Sequence, residues 1–163
     1  MVPIDKLQSM LAALASVQTR FGVAGDADAV AKSLARLPYP VLESQEQLLA
    51  LLPCIVLREG DRWGLRVVSG GAQNFLRPFG SIQITFADVS NFPKDLQAGH
   101  CDFGNWIGNT FVDLAAQAGV SDQLNIEGVR RIEGITVSSK EAQGANGGKP
   151  WFMASFYVDW NSN

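Results

Sequence analysis

The sequence predicts an α+β fold: an antiparallel sheet of about five strands with helices packed mainly on one face. Apolar residues recur at helical spacing near the start (Ile4, Leu7, Leu11, Leu14). They alternate at strand spacing in the middle (Ile82, Ile84, Phe86) and again at the end (Phe152, Ala154, Phe156, Val158, Trp160). The order is helices, strands, one long helix and a final hairpin, which argues against βαβ winding and the nucleotide folds built on it. The 163 residues are 47% hydrophobic, enough to bury a core without disulfides or metal. No internal repeat or long linker divides the chain, so a single domain over 1–163 is expected.

The first helix is expected over 4–19, with Asp5 favouring the N-terminal dipole and Gly22 as the stop. A second runs from Ala27 to Leu37, with Asp26 as N-cap and Pro38 ending it. Leu37-Pro38-Tyr39-Pro40 must be extended, because a residue before proline avoids the helical region. Ser44-Gln45-Glu46-Gln47 fits a capping box ahead of Leu48, Leu49, Leu51 and Leu52, a short third helix closed by Pro53.

The period then changes. Ile55-Val56-Leu57 reads as a buried strand, Glu59-Gly60-Asp61 as a turn, and Trp63, Leu65 and Val67 as one face of a returning strand. A loop around Gly70-Gly71 and Pro78 precedes the Ile82–Phe86 strand, and 88–101 has no period. The best helix spans 102–118, with Phe103, Trp106, Ile107, Phe111, Leu114, Ala115 and Ala118 on one stripe. Asp102 is its expected N-cap and Gly119 its stop. Gly104 and Gly108, one turn apart, cost helix propensity but let another backbone come close. A strand near 129–138, a tip at Gln143–Lys149 and the closing strand Trp151–Trp160 complete the chain.

Thirteen Lys and Arg against sixteen Asp and Glu leave a formal charge of −3 and a pI near 5.1. The basic residues are scattered, unlike those of a protein whose affinity comes from neutralising phosphates. No apolar run approaches the roughly 20 residues of a membrane span. Met1-Val2-Pro3-Ile4-Asp5 lacks the basic start of a signal peptide. Cys54 and Cys101 are therefore expected as reduced thiols in a protein made in the cytoplasm.

No catalytic constellation emerges, and no catalytic, cofactor-binding or metal-binding residue is assigned. His100-Cys101-Asp102 sets three reactive groups side by side, but neighbours on a helix point apart and zinc takes about four ligands. Gly144–Lys149 faintly resembles a phosphate loop. Gln143 stands where its first glycine belongs, however, and Pro150 where Ser or Thr should bind magnesium. Asp26 and Asp28 lack the rest of a calcium loop. Glu127 and Glu133 flank Arg130-Arg131 as a solvated or interface charge set.

An apolar surplus remains, and a mean hydropathy of +0.06 is high for a protein that stays alone in water. The second face of the closing strand carries Trp151, Met153 and Tyr157, while its even positions serve the core. Helices of the same chain or a neighbouring subunit must cover these residues, and aromatics with Met are common at interfaces. Trp151, Met153 and Tyr157, with Gly144, Asn146 and Lys149 of the preceding tip, are the candidate subunit interface.

This layout resembles the tail terminator proteins of long-tailed bacteriophages, also described as tail completion or neck proteins. The likeness rests on the N-terminal helix, the proline-bearing stretch and the step Leu52-Pro53-Cys54-Ile55-Val56-Leu57. A central helix and a closing hairpin follow, here Arg131–Val137 and Trp151–Val158. Most of residues 1–160 take part, as a pattern of elements. The helical segment 27–37 and the irregular stretch 88–101 depart from the plainest pattern and leave open another head–tail joining component.

The resemblance implies a structural virion protein with no catalytic residues. It implies a homohexameric ring that caps the tail tube, joins it to the head connector and lets genome DNA pass without specific binding. A mildly acidic channel would suit that passage, since phosphates are repelled. The alternatives are a small α+β enzyme or ligand-binding domain using residues 100–102, and an adaptor that binds a partner through a sheet edge.

Overall fold

Proline opens the first helix, α1 (Pro3–Ala12), where its missing N–H costs nothing, and Ile4, Leu7, Met10 and Leu11 are buried beneath it. The computed structural model describes residues 2–36, 51–70, 73–117, 124–137 and 149–162. The helix expected over 4–19 is broken: Leu14 is extended (φ −75°, ψ 129°) and starts α2 (Ala15–Phe21). The break re-aims the second piece, so that Val17 and Phe21 join the same core as Leu7 and Leu11. Gly22 closes α2 at φ 68°, a left-handed conformation that glycine adopts without a Cβ clash.

The next helix, α3 (Asp26–Lys32), is capped by extended Gly25 rather than by Asp26. The Asp26 carboxylate instead accepts a hydrogen bond from Gln18 Nε2 at 2.7 Å. Leu34–Arg36, expected as the last helical turn, forms strand β1. It pairs in parallel with Ile55–Leu57, and these sheet contacts override its helical pattern. The extended segment 37–40 and most of the capping-box helix at 44–52 lie outside the described residues.

The remaining elements are β2 (Cys54–Gly70), β3 (Gln73–Val89), α4 (Leu96–Gln117), β4 (Asn125–Val137) and β5 (Trp151–Asn161). They form a five-stranded sheet in the order β1-β2-β3-β5-β4. Every neighbouring pair is antiparallel except β1 with β2.

No turn occurs at Glu59-Gly60-Asp61. There β2 carries two extra residues: Glu59 pairs with Ile82, and the next pair is Trp63 with Gly80. The sequence signals of a turn serve a bulge instead. A Cβ on Gly60 would sit 2.2 Å from Ser81 Oγ, so only glycine fits. The Ser81 hydroxyl donates to Asp61 Oδ1 at 2.8 Å and accepts from the Arg62 N–H at 3.1 Å.

Beyond the bulge the two strands continue as a two-stranded arm to the Gly70–Gln73 pair. Pro78, expected in a loop, lies in β3 opposite Leu65. It sits one residue past the last pair of β3 with β5, Phe79 with Asn161, where proline is tolerated at a sheet edge.

The core lies between one sheet face and the helices. Ile55, Leu57, Ile82, Ile84, Phe86, Phe152 and Val158 meet side chains of α1, α2 and α4. The long helix begins earlier than its apolar stripe indicates: Asp95 Oδ1 accepts from the Ala98 N–H at 3.0 Å, an N-cap seven residues before Asp102. Asp102 is therefore inside α4, not at its start. The Phe86 ring meets Trp106, Phe111 and Phe156 edge-on at 5.3, 5.5 and 6.0 Å. Truncation there leaves a cavity between three rings, so Phe86→Ala should lower the unfolding free energy by about 3–5 kcal/mol. Urea titration checks this. A loss under about 1 kcal/mol would mean that the helices do not depend on this contact.

Candidate functional site

The arm carries the main exposed apolar surface of the described residues. Residues opposite each other in an antiparallel pair share a face. Trp63, Leu65 and Val67 stand opposite Gly80, Pro78 and Leu76. They therefore continue the face that bears Ile82, Ile84 and Phe86, out beyond the helices that cover it. Trp63 is 87% exposed, Leu65 59%, Val67 61% and Leu76 63%. The strip was legible as one face of a strand. Its exposure was hidden by the misread turn, which made the strand look like part of a short core hairpin.

The opposite side of the arm carries Arg66 opposite Arg77, next to Phe79. Arg66 donates to both Glu127 oxygens, at 2.7 and 3.3 Å, and its guanidinium lies 5.5 Å from the Phe79 ring centre. The hydrogen bonds from Arg66, and then from Asn161, hold the Glu127 carboxyl below the usual carboxylate range.

The candidate interface of the closing strand divides three ways. Trp151 is only 4% exposed within its own chain, packed with Cys54, Val56 and Ala87 and flanked by Leu51, Leu52 and Met153. Part of its cover comes from Leu51 and Leu52, in the segment before β2. Tyr157 is half-buried beneath the Arg130 guanidinium, 4.9 Å from its ring centre. Arg130 also bridges Asp61 and Asp159, with contacts of 2.9 and 2.8 Å. The hydrogen bond from Arg130 holds the Asp61 carboxyl low. Between these ends the face is polar: Thr85 and Ser155 share a 2.8 Å hydrogen bond. Thus Met153 and Tyr157 keep part of their surface, Trp151 keeps almost none, and Lys149 is exposed. Gly144 and Asn146 lie outside the described residues. Glu127 and Arg130, three residues apart, serve different partners, while the Arg131 and Glu133 side chains are not described.

His100, Cys101 and Asp102 diverge. The His100 ring lies 4.8 Å from that of Phe152, Cys101 is exposed, and Asp102 binds Arg20 at 2.9 Å. Arg20 also binds the buried Asp88 at 2.5 Å and lies over the Trp106 ring. Burial raises the Asp88 carboxyl despite that pair. Cys54 is buried, and burial together with the Asp88 charge pushes its thiol up to about 12. Among the described residues no group of three or more His, Cys, Asp or Glu side chains is placed to hold a metal. No described helix is long and apolar enough to cross a membrane.

No protein-family model matches the chain, and no curated protein matches it.

Two outcomes follow from these environments. A thiol reagent at neutral pH should modify Cys101 rapidly and Cys54 only on unfolding, one group per native chain and two in denaturant. Two fast thiols in the native protein would place Cys54 at the surface. The raised Asp88 carboxyl means that folding takes up a proton between the unfolded and folded pKa values. Stability therefore falls as pH rises across that window and levels off above it. Asp88→Asn removes this titration. Parallel urea titrations of parent and variant should shift in the variant's favour as pH rises through the window, and a pH-independent difference would refute the raised carboxyl.

Proposed function

We propose that this chain is a ring-forming structural protein of a phage tail, the terminator or neck ring that ends the tail tube and joins it to the head connector. The observation that carries the reading is the apolar strip on the arm. An 87% exposed tryptophan heading a row of aliphatic side chains is a surface that monomers rarely leave in water. A closed ring needs two different contact faces on every copy, and a strip that outruns its own helices supplies one of them.

The order of elements supports the same reading, with its N-terminal helices, its antiparallel sheet and its long central helix between the hairpins. The charged groups described above also fit a structural part. Arg20, Arg66 and Arg130 each bind carboxylates of their own chain across separate elements. In this reading six copies close the ring, the protein resides in the virion, and DNA passes an acidic channel without being held. The tip at Gln143–Lys149 faces a neighbouring component, and so does the surface that Met153 and Tyr157 keep.

Native mass measurement should find six copies at high protein concentration. Electron microscopy should find the protein at one end of tubes assembled from the tube protein of the same genome. A chain that stays monomeric and leaves every tube end bare would sink the proposal. Capture of a different protein by a monomeric chain would favour an adaptor.

A further inference from the structure

We propose that the bulges of β2 and β4 form an electrostatic latch that holds the β2–β3 arm at one angle to the sheet. The inference goes beyond the ring reading and does not depend on it.

The latch joins strands that are not neighbours. Both β3 and β5 lie between β2 and β4. In a flat sheet that is a separation of about 14 Å, beyond the reach of any backbone hydrogen bond. Two ion pairs span it, Arg66 with Glu127 at 2.7 Å and Arg130 with Asp61 at 2.9 Å. Their polarity is reversed: β2 supplies the base to the first pair and the acid to the second.

Both acids stand in bulges. Asp61 lies in the irregular stretch of β2 between Glu59 and Trp63. Glu127 is the unpaired residue of β4, between the pairs Ile126–Trp160 and Gly128–Asp159. A bulge bends its strand and re-aims a side chain. Here each bulge turns a carboxylate to an arginine of the other strand.

Neighbouring groups seat the two arginines. The Arg66 guanidinium lies 5.5 Å from the centre of the Phe79 ring, and that of Arg130 lies 4.9 Å from the centre of the Tyr157 ring. Gly64 stands opposite Phe79, and a Cβ on it would come within 2.8 Å of that ring, so glycine clears the place the ring takes. Each pair is also fixed to β5. Asn161 Nδ2 donates to Glu127 at 2.6 Å, and Asp159 binds Arg130 at 2.8 Å.

The arm needs such a restraint. The Pro78 carbonyl accepts from the Ser162 N–H at 3.0 Å, the last backbone tie to the end of β5. Past it the arm is a two-stranded ribbon, and an isolated ribbon is marginally stable in water. Among the described residues, the hydrogen bonds joining that ribbon to a strand other than its own two come from Arg66. The Arg66 and Glu127 side chains are 50% and 32% exposed, and pairs so exposed add little stability. Their effect is on the angle. Asp61 with Arg130 holds the bulge, Arg66 with Glu127 holds the ribbon further out, and two separated ties stop the pivoting that one would allow. The strip of Trp63, Leu65 and Val67 on the other face is thereby presented in one direction.

Pulsed electron paramagnetic resonance tests this, with nitroxides on the exposed native Cys101 and on a Leu76→Cys substitution in the arm. Buried Cys54 takes no label, and its protection from thiol reagents shows that each variant is folded. Labelled chains are diluted into unlabelled protein, so that distances within one chain are read. The parent should give one narrow distance distribution. Arg66→Glu should broaden it or move its maximum, and adding Glu127→Arg, which restores the pair with its charges exchanged, should bring the parent's distribution back. Where Arg66→Glu exposes Cys54, Arg66→Gln takes its place and should broaden the distribution in the same way. An unmoved, narrow distribution in the folded single variant would overturn the latch. So would an exchanged pair as broad as the single variant, or a parent that is already broad.

Discussion

The edge-on packing of Phe86 against three rings sets the geometry on which both outward surfaces depend. Trp106 and Phe111 come from α4 and Phe156 from β5, and Phe111 and Phe156 also meet each other at 5.1 Å. Two α4 side chains five residues apart, held on one sheet residue, leave the helix no freedom to roll. The line of Gly104, Gly108 and Val112 is turned to solvent as a consequence. Phe86 also marks the inward face of β3, and regular pairing with β5 carries that assignment unbroken to Gly80. Trp63, opposite Gly80, inherits it.

A second constraint holds the helices to one another. The Arg20 guanidinium joins α2 to Asp88 at the end of β3 and to Asp102 in α4, while lying over the Trp106 ring. The direction of the Asp88 shift says that desolvation outweighs the attraction of its partner. A pair of that kind adds little net stability. Its effect is positional: three elements meet at one planar cation, near the mouth of the buried cluster around Cys54. Asn91, donating to Asp102 at 3.1 Å, extends the same junction into the connection before α4.

The long-period features of this fold were legible in the sequence, and the features set by competition were not. The α+β class, the Ile82–Phe86 strand, the inward face of the closing strand and the apolar stripe of α4 all follow from alternation or helical spacing. The break at Leu14 was not legible, because Ile4, Leu7, Leu11 and Leu14 fit one uninterrupted helix until the sheet beneath draws Val17 and Phe21 inward. Leu34–Arg36 reads as helix and becomes strand because β2 offers a partner that local propensity cannot register. The first turns of α4 lack an apolar period, and only the Asp95 cap announces them. At the candidate surface, the strand alternation correctly separated Trp151, Met153 and Tyr157 from the core side. It carried no information on Leu51 and Leu52, distant in sequence, which flank Trp151. The arm was hidden by Glu59-Gly60-Asp61, a turn by composition and a bulge by packing against Ser81.

That bulge also fixes which way the arm faces. It contains two surplus residues, an even number, so β2 keeps its odd-numbered side chains on the helix side before and after it. A single surplus residue would have inverted everything distal to it, sending Trp63, Leu65 and Val67 to the side of Tyr157 and Arg130. Lengthening both strands below the strip by two residues each would add about 6.8 Å of span and keep the apolar strip on the helix side, whereas one added residue per strand would turn it over. The length of the arm below its apolar strip is therefore set in steps of two residues per strand.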